Sequence, residues 1–183
     1  MKAAAFALAC LCAGPAAALC DMDGAGAAGL ASGDWTVMVI ESIISVGNIN
    51  HIADPTPPQT AQIEMDAEGA GRFAMAGAEM PLARRAPGTF HIEVHPERRA
   101  GFDAVLAHLE RTEGDLPCPL AALPQYLGEK TAEQGARRAL ALTDLVQLDA
   151  ETMAGVQYTV IRDPDAPLVT VRTTLTLTRE TGE

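Results

Sequence analysis

Along LVTVRTTLTLTRE, residues 168–180, side chains alternate with period two. Val169, Val171, Thr173, Leu175 and Leu177 fall on one side of an extended chain, and Thr170, Arg172, Thr174, Thr176 and Thr178 on the other. That alternation predicts a β-strand with one face on a core and one face wet. GVQYTVIRD (155–163) and the turn DPDAP (163–167) supply its hairpin partner. WTVMVIESIISVG (35–47) is dense in β-branched residues and reads as a long first strand with both faces at least partly covered. After the proline-broken loop ADPTPPQ (53–59), Ala61, Ile63 and Met65 alternate with Gln62, Glu64 and Asp66. The chain turns at Glu68–Gly71 and resumes with Phe73 and Met75. A further turn at Ala86-Pro87-Gly88 leads into TFHIEVH (89–95), where Phe90, Ile92 and Val94 form one face and His91, Glu93 and His95 the other.

The period changes mid-chain. Phe102, Val105, Leu106 and Leu109 sit at i, i+3, i+4 and i+7, the stripe of an amphipathic helix that Gly114 would stop. LPCPLAALP (116–124) carries three prolines and reads as a loop. GEKTAEQGARR (128–138) is polar and exposed. ALALTDLVQLDAETM (139–153) fits either period; its position before a clear hairpin favours strands. The expected fold is therefore mostly β: an antiparallel barrel or sandwich of about eight strands with one mid-chain helix.

Gly33-Asp34-Trp35 opens the first long strand and Arg179 closes the last. In this the chain resembles the lipocalin and wider calycin family, in which a Gly-x-Trp on the first strand closes the barrel end and packs against an arginine after the last strand. The resemblance implies a β-barrel whose closure rests on Gly33, Trp35 and Arg179, with a small, largely apolar ligand inside. The helix falls mid-chain here, whereas lipocalins carry theirs after the last strands.

The N-terminus reads differently from the rest. Lys2, an apolar run from Ala3 to Ala13, a Gly14-Pro15 break and Ala16-Ala17-Ala18 give the order of a secretory signal peptide. The run is about half the ~20 residues of a membrane span. Ala16 and Ala18 place the cut after Ala18, with a cut after Cys20 as the alternative. The bulky Leu19 before Cys20 argues against a lipid anchor at that cysteine. The chain thus divides into a signal peptide (1–18), a flexible N-terminal arm (19–33, through the patternless DGAGAAGLASG) and one β-rich domain (34–183). A periplasmic or secreted protein is expected. In that oxidising setting Cys20 and Cys118, the two cysteines left after the cut, are expected to form one disulfide. It would close a loop of about 100 residues, for which chain entropy gives about 4 to 5 kcal/mol.

Composition narrows the partners. There are 13 Lys plus Arg against 24 Asp plus Glu, a formal charge of −11, and loss of Lys2 makes the mature chain one unit more negative. Such a balance repels phosphate backbones, so nucleic acid is excluded as a partner, and no further apolar stretch approaches a membrane span. No Gly-x-Ser-x-Gly turn or phosphate-binding glycine loop occurs. A non-catalytic protein without cofactor is expected. His91, Glu93 and His95 are candidate metal ligands, because a strand would present all three on one side. The alternation that aligns them also makes theirs the solvent face, opposite Phe90, Ile92 and Val94. Three function classes stay open. One is a binding module for a small apolar ligand. Another is an interaction or inhibitor module for a protein partner, using the loop around Cys118. The third is a metal-binding protein through His91, Glu93 and His95.

Overall fold

The computed structural model describes residues 19–20, 22, 24–54, 56–85 and 122–180. A short helix, α1 (Gly24–Ala31), precedes nine strands. These are β1 (Gly33–Val46), β2 (Ile49–Ile52), β3 (Gln59–Met65), β4 (Ala70–Met75), β5 (Ala78–Arg84), β6 (Gln125–Gln134), β7 (Arg137–Gln147), β8 (Thr152–Arg162) and β9 (Val169–Arg179). All pair antiparallel with their neighbours in the order β2-β1-β3-β4-β5-β6-β7-β8-β9, and β1 pairs again with β9. The choice between barrel and sandwich is thereby decided. β1 and β3 to β9 close an eight-stranded barrel, which removes the free edges a sandwich would leave.

β2 is the ninth strand and shares one edge of β1 with β3. β2 meets Ile43 to Val46, and β3 meets Gly33 to Val37. The proline-rich loop between them explains the interruption, since prolines cannot donate ladder hydrogen bonds. The seam of β1 with β9 runs from Trp35 opposite Arg179 to Val46 opposite Val169, with a bulge between Val39 and Glu41. The extra residue moves the inward set from Trp35 and Val37 to Ser42 and Ile44.

At one end the barrel is solidly packed by Trp35, Ile63, Phe73, Tyr126, Leu145 and Leu177, all nearly or fully inaccessible. Two glycines let strands approach in this region. A Cβ on Gly155 would lie 2.5 Å from both the Asp144 carbonyl oxygen and Leu145 Cδ2, and one on Gly128 would lie 2.6 Å from Met80 Sδ. β7 resolves the ambiguous stretch 139–153 in favour of strand. Leu145 points inward, while Leu142 and Val146 point outward and are also buried. Burial on both faces is what blurred the period-two signal.

Several local elements differ from the sequence reading; β2 and β6 form where no strand was assigned. Residues 24–31, read as a flexible tether, form α1. Alanine is the best helix former, and a helix of small apolar residues has no polar stripe by which to recognise it. The turn Ala76-Gly77 separates β4 from β5 as a tight hairpin with φ of 51° and 76°. Both central residues are left-handed, as a type I′ turn requires, but an alanine stands where asparagine is the usual cue. The strand over 89–95 and the helix through Phe102 and Leu109 lie outside the described residues.

Candidate ligand-binding site

The two ends of the barrel differ in chemistry. At the closed end α1 lies across the opening, with Ala27, Ala28 and Ala31 buried against the core. Its last carbonyls have no helical partner and are capped from the barrel. Trp35 Nε1 donates to the Ala31 carbonyl at 3.0 Å, and Arg179 Nη1 donates to the Ser32 carbonyl at 2.9 Å. Arg179 Nη2 donates to the Leu30 carbonyl and Nε to that of Ala150 at 3.2 Å. The Arg179 guanidinium carbon also stands 4.6 Å from the Trp35 ring centroid. A cation at a helix C-terminus and over an indole face is favourable on both counts.

Gly33 belongs to the same corner. Its φ is 141°, and an added Cβ would lie 2.6 Å from Arg179 Nη1. The structure therefore brings Gly33, Trp35 and Arg179 together as one plug. Tyr126 completes it, its hydroxyl donating to the Ala27 carbonyl at 2.8 Å; burial pushes this phenol well above its ordinary pKa.

Above this base the interior turns polar. On four successive strands, Thr143, Gln157, Thr173 and Ser42 are direct register partners. Gln157 Nε2 donates to Thr143 Oγ1 at 3.4 Å, and the Ser42 and Thr173 hydroxyls lie 3.1 Å apart. Their inward direction follows from Leu145 and Leu175, two residues along β7 and β9 and both in the core. Thr143 is fully buried, while the other three are half-buried.

Beyond this row the inward side chains are aliphatic or small: Ile44, Val171, Thr159 and Ala141, then Val46, Val169, Ile161 and Ala139. Except for the exposed Val46 they are half-buried, in contrast to the sealed residues below. The wall is uneven. β5 pairs with β6 only at Leu82 to Arg84, so β6 rises beyond Gly128 without a described partner on that side. Lys130 crosses this gap, its amine donating to the Glu79 carbonyl at 2.6 Å. The result is a cup with a polar floor and mostly apolar upper walls.

The rim carries exposed apolar side chains: Ile49 (73% exposed), Val46 (42%) and Leu168 (39%). A shallow cleft of about 550 Å³ lies between the β6–β7 and β8–β9 turns. Its charges are largely matched, Arg138 with Glu133 at 3.1 Å and Arg137 with Asp163 at 3.7 Å. The cup is the more distinctive site.

His91, Glu93, His95 and Cys118 lie outside the described residues. Cys20 is half-buried. His51, on β2, is exposed, and no group of three metal-ligating side chains occurs among the described residues. The polar row was missed from sequence, although one sign of it was present. Thr173 interrupts an otherwise apolar face of β9, and such a break marks where a core stops being a core. Compared with protein-family models, curated proteins and solved structures, the chain matches none.

Proposed function

We propose that this is an exported, non-catalytic, lipocalin-like protein that holds a small molecule in the open half of its barrel. The carrying observation is the change within single strands. Inward side chains are sealed at the α1 end and become half-buried from Ser42, Gln157 and Thr173 upward, with Thr143 alone in that row still fully buried. A packed base under an accessible, largely apolar cup with few polar groups is the usual form of a small-molecule site. The Gly33, Trp35 and Arg179 corner supports kinship with the calycin barrels.

Export is supported by the N-terminal sequence and by Leu19, which packs with Leu123 and Val146 and would be retained by a cut after Ala18. A barrel that works in water rather than lipid is supported by the outer face of β3 to β5. There Arg72 donates to Glu64 at 2.8 Å and to Glu79 at 3.0 Å, where a lipid-facing band would be apolar.

The test uses N-phenyl-1-naphthylamine, an uncharged probe that fluoresces in apolar surroundings. Its emission should rise on mixing with the protein. Val171→Phe, which fills the cup, should abolish the rise, and Thr178→Phe, on the outer surface, should not. No rise with the unaltered protein, or equal loss in both variants, would overturn the reading.

A further inference from the structure

We infer that the ligand is an uncharged amphiphile bound head first. On this view a neutral polar group such as a hydroxyl, ester or amide meets the floor of the cup, and an aliphatic tail runs up to the rim. This rests on the proposed binding function and specifies its chemistry.

The floor sets the head. Ser42, Thr143, Gln157 and Thr173 offer hydroxyl and amide groups only, both donors and acceptors, and no charge. An ion brought onto them would lose its water without gaining a counter-ion, a large penalty in a partly desolvated site. On the adjoining strand β6, Lys130, the register partner of Ala141, turns away to the Glu79 carbonyl at the mouth. The surrounding field also disfavours an anion, since the whole chain carries −11.

The walls set the tail. From Thr173 to Val169 the chain climbs four residues, roughly 13 Å at the rise of a strand. Over that distance the inward side chains pass from the hydroxyls of Ser42 and Thr173 to Ile44 and Val171, then to Val46 and Val169. Val46 is paired with Ile49 across the β1–β2 hairpin, and Gly47 N donates to the Leu168 carbonyl at 3.0 Å, which joins the three exposed rim residues. Apolar side chains left in water at the end of an apolar wall are explained if a tail lies against them. A tail-first ligand would instead put methylenes on the four polar groups and its head among the aliphatic ones.

The experiment compares three competitors with one ten-carbon tail: 1-decanol, decanoate and decyltrimethylammonium. Each is titrated against bound N-phenyl-1-naphthylamine, the two ions below their micelle concentrations and decanol below its solubility limit. Decanol should displace the probe at about tenfold lower concentration than either ion, the size of effect expected when an ion lacks a partner. In the double variant Thr173→Val, Gln157→Leu the probe should still bind, and the advantage of decanol over the ions should fall to about threefold or less. Equal displacement by all three, or preference for an ion, would overturn the inference while leaving the binding function standing. Unchanged discrimination in the double variant would overturn the head-first orientation. Failure of the probe to bind the unaltered protein would overturn the binding function, and this inference with it.

Discussion

Arg179 and Trp35 face each other directly across the β1–β9 seam, with the guanidinium carbon 4.6 Å from the centre of the indole. The contact ties first strand to last and, through the carbonyls of Leu30 and Ser32, ties both to α1. Trp35→Ala should cost about 3 to 5 kcal/mol, as expected for a large aromatic with no exposed surface. Arg179→Lys keeps the charge but loses the planar fork, and should cost about 1.5 to 3 kcal/mol. Urea denaturation measures both. A loss below ~1 kcal/mol for Trp35→Ala would mean that the corner does not close the barrel.

Tyr126 makes stability fall in alkali. Its folded pKa is raised by burial, so the neutral phenol is what the native state favours. Below the unfolded value, about 10, both states hold the proton and the stabilisation is complete. As pH rises past that value the unfolded chain sheds the proton first, and stability drops until the folded phenol ionises as well. Tyr126→Phe should flatten this alkaline decline. At neutral pH it should cost about 0.5 to 1.5 kcal/mol for the lost bond to Ala27. Melting curves at neutral pH and at pH above about 10 decide it; equal alkaline losses in both proteins would contradict it.

Gly155 is a packing requirement. Its φ is not in the left-handed region, so the backbone alone would accept alanine, but the new methyl would meet the Asp144 carbonyl and Leu145 at 2.5 Å. Gly155→Ala should therefore destabilise by about 1 to 3 kcal/mol through overpacking. A neutral or stabilising result would show that β7 and β8 can move apart freely.

If the chain is exported, Cys20 and Cys118 should be joined in one disulfide. Intact-mass measurement before and after reduction and alkylation reads both the bond and the N-terminus. A mature chain beginning at Leu19 with no alkylatable thiol until reduction is the expected result. A chain beginning at Asp21, or a lipid-modified Cys20, would remove the Leu19 contact with Leu123 and Val146 and refute this cut.

The strands were legible where polar and apolar side chains alternated. β9 could be read almost to the residue, because Thr170, Arg172, Thr174, Thr176 and Thr178 alternate with Val171, Leu175 and Leu177, but the face expected to be wet is largely covered: Thr174 is buried and only Thr178 is exposed. β7 was harder, because its neighbours bury both faces. Gly33, Trp35 and Arg179 could be singled out as a pattern, but their meeting depends on β9 pairing with β1, a tertiary fact. α1 was hidden by its lack of polarity, and Ala76 by holding a left-handed conformation that asparagine or glycine would have advertised. The floor of the cup was least visible. Ser42 reaches it only because the bulge after Val39 reverses the side-chain parity of β1, and nothing local in VMVIESII announces that extra residue.

The seam has a consequence for the order of events during folding. Arg179 and its acceptor Ser32 are 147 positions apart along the chain. Among the described residues, every other barrel pairing joins strands that are neighbours in the chain order of described strands or separated by β2 alone. The β3–β4–β5 and β6–β7–β8–β9 hairpins can therefore form as they emerge, but the ring cannot shut until β9 is free, and such long-range closure is slow. A polypeptide threaded N-terminus first through a translocation channel would stay open, and thus passable, for nearly its whole length. The arginine that arrives last would then latch the tryptophan that crossed among the first.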